Sequence, residues 1–248
     1  MKSCLIIFAL HFLINTHASF AATKPLKVGI DQRVFLSEKN ANGNWHGLDV
    51  TLITLIMEEA GLKFEFIELP WKRILRDVEF GNIDIALSAA NLPERRDYAH
   101  FSKKPFRLGK NLLFIAARLD DSHVTLNSLV DLQHTDFLVG VVRGSSYSDD
   151  YEGLIKKDWF KQKLIIVDDA ERLPFLLTKS RIQVYIDSGF AGKQRLIKMD
   201  LTGKIKPKFS LKSEDDSATF LMMSKRSIPE KTVMKLNAAM ERLYLSGS

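Results

Sequence analysis

HGLDVTLITLIMEEAGLKFEFIELPWKRILRDVEFGNIDIALS, residues 46–88, changes its hydrophobic period several times. Leu48, Leu52, Leu55, Ile56 and Ala60 recur at helical spacing, and Gly61 stands where a helix needs a left-handed C-terminal residue. Lys63 to Leu69 alternates with the period of a strand. Trp71 to Phe80 returns to helical spacing and ends at Gly81; Ile83 to Ser88 is again strand-like. With LKVGID (Leu26 to Asp31) before it, the order is β-α-β-α-β. That order implies a parallel sheet with helices on its faces.

A second unit follows with the same kind of order. NLLFIAA (Asn111 to Ala117), FLVGVV (Phe137 to Val142), LIIVD (Leu164 to Asp168) and VYID (Val184 to Asp187) read as strands. RGSSYSDDYEGLIKK, after FLVGVV, reads as a glycine turn into a helix, and another helix runs to Lys179. ATFLMMSK (Ala218 to Lys225) is a late strand. Ser227 and Glu230 then have the capping-box spacing that starts a last helix. The expected fold class is therefore α/β, with two units in series and a cleft between them, a common place for a small-molecule site.

The chain begins MKSCLIIFALHFLINTHASFAATKPL. Lys2 precedes an apolar run, Cys4 to Ile14, of signal-peptide length and too short to span a bilayer. Ser19-Phe20-Ala21 places small residues where a signal peptidase reads, so a cut after Ala21 is expected. Cys4 is the one cysteine, so the mature chain would hold no disulfide, cysteine metal site or thiol nucleophile. Export without disulfides suits a bacterial periplasm. Without Lys2, the 35 remaining basic residues exceed the 30 acidic ones by five, and the two signs are interspersed. That spread, with no nucleic-acid motif, argues against nucleic acid as a partner. His46, His100, His123 and His134 stand in no metal or triad spacing, and no cofactor or metal is expected.

SAANLPERRDYAHFSKKPF, residues 88–106, carries the first candidate for chemistry. Ser88 would lie at the carboxyl edge of its sheet, where ligands bind in open α/β folds. Pro93 suits the first turn of a helix, with Asn91 or Leu92 as cap. Arg95 there could grip a carboxylate with two N–H groups. Alternatively, Arg95 and Arg96 form a solvated face with Glu94 and Asp97. After FLVGVV, Ser145 or Ser146 could cap a second helix and offer hydroxyl donors, or simply cap it. Asp31 and Asp187 end strands and could meet an ammonium group, or cap turns. Trp71 could wall a pocket or sit in the core.

The stretch from His46 to Phe106 resembles the first lobe of the family 3 extracellular solute-binding proteins, the periplasmic receptors of polar amino acid ABC transporters. The matching features are the G-x-D-V helix start, the aromatic before the next helix, G-x-I-D in the third strand, the Glu94-Arg95 pair and Phe101-Ser102. LVDLQHTDFLVGVVRGSSY and RIQVYID are similar to parts of the second lobe. The resemblance implies a two-lobed type II periplasmic binding protein fold, each lobe a mixed, mainly parallel sheet flanked by helices. It implies a signal peptide over 1–21, lobe one over 22–108, lobe two over 109–207, and a return to lobe one over 208–248. Crossings are expected near Pro105 to Asn111 and Ile205 to Ser217, with the lobes closing over a ligand.

By the same resemblance Arg95 would hold a ligand carboxylate, helped by Ser88, Ser145 and Ser146. Asp187 would hold the ammonium, Trp71 would pack on the ligand, and Asp31 would meet a basic side chain or the amine. Ala90 and Leu92 stand where the family usually places hydroxyls. Val34 stands where it usually places an aromatic, with Phe35 as a possible substitute. These departures weaken the case for a standard polar amino acid. The implied role is a monomeric, non-enzymatic receptor that delivers an amino acid or close relative to a membrane permease. A sensor with a degenerate site, and a dehydratase-like enzyme on the same scaffold, are the alternatives.

Overall fold

The computed structural model describes residues 24–120, 125–211 and 218–246. The expected signal peptide lies outside these residues, as does part of the expected second crossing. The first run of elements is β1 (Leu26–Ile30), β2 (Glu38–Lys39), β3 (Trp45–His46), α1 (Leu48–Ala60), β4 (Phe64–Glu68), α2 (Trp71–Phe80), β5 (Ile85–Ala89), α3 (Pro93–Arg96) and β6 (Ala99–Phe101). The second is β7 (Asn111–Ala116), α4 (Ala117–Asp120), a 3-10 turn (Val130–His134), β8 (Val139–Val142), α5 (Asp149–Leu154), α6 (Asp158–Lys161), β9 (Leu164–Val167), α7 (Arg172–Thr178), β10 (Val184–Ser188), α8 (Gly189–Lys198) and β11 (Ile205–Ser210). The chain closes with β12 (Phe220–Ser224) and α9 (Glu230–Ser246).

Two five-stranded sheets result, in the orders β4-β1-β5-β12-β6 and β11-β7-β10-β8-β9. In the first, β1 lies parallel to β4 and β5, as the β-α-β-α-β reading requires. β12 comes back from the second unit and inserts antiparallel between β5 and β6, with Met222 opposite Ala86 on one side and Phe101 on the other. In the second sheet β8 is parallel to β9 and β10, while β7 is antiparallel to β10 and β11. Each sheet has its own apolar cores: Val28, Ile53, Met57, Leu236 and Met240 belong to one in lobe one, and Leu113, Val139, Phe160 and Val184 to one in lobe two. This is the two-lobed type II periplasmic binding protein architecture.

Gly61 (φ 64°) and Gly81 (φ 78°) end α1 and α2 in left-handed conformations, and each donates its N–H back to a carbonyl of the last turn. Other expectations are corrected. The buried face of α1 is Asp49, Val50, Ile53, Ile56 and Met57, whereas Leu48 and Leu55 are exposed. The helix is apolar nearly all round, so spacing alone does not choose the face; α9 and the buried Asp49 contacts do. The cap of α5 is Ser148, whose hydroxyl accepts from the Tyr151 N–H, not Ser145 or Ser146. Ser227 Oγ is buried without a hydrogen-bond partner among the described residues, so the capping-box hydroxyl does not act as one. The division expected between 207 and 208 falls inside β11, which pairs with β7 through Ser210. Between the sheets Arg107 and Thr219 form an antiparallel bridge.

Candidate functional site

The carboxyl ends of β1, β5, β8 and β10 open onto one cleft of about 550 Å³ between the lobes. Arg95, Asp187, Trp71, Ser88, Ser145, Ser146, Asp31 and Ala90 all line it. Parallel strands deliver their C-terminal residues to one sheet edge, which is why residues so distant in sequence meet.

Lobe one provides Arg95. Pro93 opens the four-residue α3, and Leu92 precedes it with no side-chain cap. Arg95 is buried; its Nη1 donates to the Ala90 carbonyl at 3.1 Å and its Nη2 to the Gly144 carbonyl of lobe two at 3.0 Å. Burial pulls its pKa below the ordinary arginine value, opposed by Tyr98, Glu94 and Glu152. No carboxylate lies within ion-pair distance of it among the described residues. Arg96 is exposed and bonds to Asn91, by Nε to its side chain at 2.8 Å and by Nη2 to its carbonyl at 3.2 Å, rather than to Asp97 or Glu94.

Trp71 is buried at the start of α2, and its indole N–H donates to the same Gly144 carbonyl at 3.2 Å. One backbone oxygen of lobe two therefore accepts from two lobe-one side chains. Ser88 has a left-handed backbone (φ 55°), strained for a residue with a Cβ. Its hydroxyl donates to Asp49 Oδ2 at 3.0 Å and accepts from Arg107 Nη2 at 3.3 Å. The hydroxyl proton expected for a ligand is thus used inside lobe one. Arg107 Nε stands 2.9 Å from Asp49 Oδ1, an ion pair not aligned as a hydrogen bond.

Asp31 is held by Arg33 on both oxygens, at 2.9 Å and 3.1 Å. Burial raises the Asp31 pKa despite that partner. The Arg33 guanidinium also lies over the Trp71 ring, 5.1 Å from its centroid. Val34 is buried outside the cleft and Phe35 is half exposed, so Phe35 does not replace the missing aromatic.

Lobe two provides Ser145 and Ser146, half-buried on the turn after β8, and Asp187 at the end of β10. Asp187 accepts the Ser188 N–H at 2.8 Å and is paired with Arg195, whose Nε donates to Glu171 Oε1 at 2.9 Å. Arg195 is only 1% exposed. Burial raises the Asp187 pKa, and Arg195 opposes the rise.

Sequence reasoning missed Arg33, Asp49, Arg107, Glu171 and Arg195. A signal existed for Arg195: with Ala191, Gly192 and Leu196 it sits on the buried stripe of α8, where a charge is unusual. Asp49 is the acid of the G-x-D-V helix start, though that motif does not mark it as a site residue; the other three carry no signal, because their partners are chosen by tertiary contacts.

The sequence model of the bacterial extracellular solute-binding proteins, family 3, matches residues 26–248. The chain belongs to this family. Among solved structures, the family member is similar to an ancestral arginine-binding protein bound to arginine, at 21% identity and a TM-score of 0.73, covering 90% of this chain and 93% of that one. It is also similar to a histidine kinase sensor domain with similarity to periplasmic binding proteins, at 15% identity and TM-score 0.74, covering 90% and 92%. A third is an ancestral amino-acid-binding protein that is a precursor of cyclohexadienyl dehydratase, at 18% identity and TM-score 0.69, covering 90% of each chain. At these identities the likeness shows the shared fold.

Proposed function

We propose that the chain is exported to the periplasm, loses its signal peptide after Ala21, and as a monomer captures a small carboxylate between its lobes for an inner-membrane ABC permease. The ligand is an amino acid or a close relative of that size. The observation that carries this reading is Arg95. A buried guanidinium cannot shed its proton, and here it meets carbonyls from both lobes but no carboxylate among the described residues. A ligand carboxylate in the cleft would supply the counter-charge and, through the Gly144 contact, favour the state in which the lobes touch. No bond chemistry is assigned: Asp31 and Asp187, the acids a dehydratase would draw on, each face an internal guanidinium.

The test is a thermal-shift screen of amino acids, short peptides and organic acids on the mature protein. A true ligand raises Tm, since binding to the folded state alone stabilises it. In Arg95→Ala that shift should vanish, with a loss of about 2–5 kcal/mol in binding free energy, as for a desolvated charge pair. An unchanged shift in Arg95→Ala would remove the carboxylate reading.

A further inference from the structure

We infer that the ligand of this cleft is an organic acid without an amine, carrying neither an α-ammonium nor a basic side chain. This rests on the reading of Arg95 as the carboxylate site.

Two carboxylates at the cleft are placed to receive a cation, Asp31 and Asp187, and the protein has filled both positions itself. Arg33 holds Asp31 by an Nε hydrogen bond at 3.1 Å and an Nη2 ion-pair contact at 2.9 Å, and lies over Trp71. Burial would pull the Arg33 pKa down, but Asp31, Asp49 and Asp187 hold it above the ordinary arginine value. Arg33 and Asp187 line the same cleft from opposite lobes. On lobe two, Asp187 Oδ2 takes Arg195 and Oδ1 takes the Ser188 N–H. The remaining acids are at the solvent edge or paired: Glu68 with Lys39 and Gln32, Asp168 with Arg143, Asp169 with the Glu171 N–H, and the Glu171 carboxylate with Arg195.

A ligand ammonium would have to expel one of these guanidinium groups or add a further cation beside it. An expelled Arg195 would be buried without its counter-charge, the outcome that makes breaking a buried pair unfavourable. Arg33 would lose both its carboxylate partner and its aromatic face. An acid without an amine requires neither. It meets Arg95, whose charge the chain's described carboxylates leave unmatched, and it can fill the remaining space with apolar or anionic groups.

The experiment takes matched pairs through calorimetry and thermal shift: succinate with L-aspartate, glutarate with L-glutamate, 4-methylpentanoate with L-leucine, 3-phenylpropionate with L-phenylalanine, and L-arginine alone. The amine-free member of the best pair should bind roughly tenfold or more tightly than its amino counterpart, the scale of one uncompensated charge contact. Arg33→Ala should then admit L-arginine, a gain that a merely structural role for Arg33 would not give. The wild-type pairs decide the question even where the variant is unstable. Tighter binding of an amino acid than of its amine-free partner overturns this inference and leaves the carboxylate reading standing. Absence of binding across both series removes that reading and this inference with it. Continued exclusion of L-arginine by a folded Arg33→Ala overturns the role given to Arg33.

Discussion

Arg95 on the lobe-one wall and Arg195 on the lobe-two wall are both buried, at 6% and 1% exposure. Arg95 meets two carbonyl oxygens, whereas Arg195 meets two carboxylates. Burial draws both pKa values down, but only Arg195 has acids that reverse the effect. One wall thus presents an arginine without a paired acid, and the other holds its arginine between two acids, with one negative charge in excess. Burial of an arginine does not by itself mark a binding residue; what it is buried against does.

The largest effect that could break this contrast is Arg195→Leu. It leaves Asp187 facing Glu171 with no cation between them and should destabilise folding by about 3–5 kcal/mol, as for other broken buried pairs. Arg95→Ala removes no ion pair, so its effect should fall on ligand binding and leave denaturant midpoints nearly unchanged. Equal folding losses in the two variants, measured by urea denaturation, would erase the distinction.

High pH separates the lobes by a second route. Burial pushes the Tyr151 hydroxyl up to about 12, and Tyr147 and Tyr185 are shifted the same way. All three lie in lobe two; burial also raises Tyr98 and Tyr244 of lobe one, but less strongly. An unfolded tyrosine ionises near pH ~10. A raised folded pKa gives stability that is complete below the unfolded value and lost as pH rises through the folded one. Lobe two should therefore weaken between about pH 10 and 12, with tyrosinate absorbance appearing together with the loss of structure. Tyr151→Phe should flatten that dependence; an unaltered pH profile would refute the assignment.

The smallest effect concerns the contact that joins the walls. Trp71→Phe keeps the ring and removes the indole N–H to Gly144, a loss of about 1 kcal/mol from the touching state. Small-angle scattering should report a more open average shape, and ligand affinity should fall several-fold. No change in either would mean that the indole N–H adds nothing to the Arg95 and Lys198–Glu38 contacts between the lobes.

Much of this was legible in the sequence for definite reasons. Gly61 and Gly81 could be read as helix ends because only a residue without a Cβ takes a left-handed conformation freely. Asp31, Ser88 and Asp187 could be placed near one cleft because parallel strands end on one edge. Pairing choices were not legible. Nothing local says that Arg33 turns back on Asp31 and covers Trp71, or that the Ser88 proton goes to Asp49, 39 positions away. The apolar circumference of α1 hides its buried face until α9 arrives from the far end of the chain. β11 reads as a return toward lobe one by position, yet the free edge of β7 captures it.

The acceptor that joins Trp71 and Arg95 across the cleft is the Gly144 carbonyl, on a residue with φ 78°. A Cβ there would crowd Lys72 Cδ at 3.1 Å and Leu75 Cδ1 at 3.3 Å. The oxygen is main chain, so no substitution at position 144 deletes it, and nearly any substitution strains the turn that presents it. Neutral drift can therefore act on this contact only through the two donor side chains. Heritable variation in this contact is carried by lobe-one side chains, while its lobe-two acceptor stays chemically constant; the Lys198–Glu38 ion pair, by contrast, can vary from either lobe.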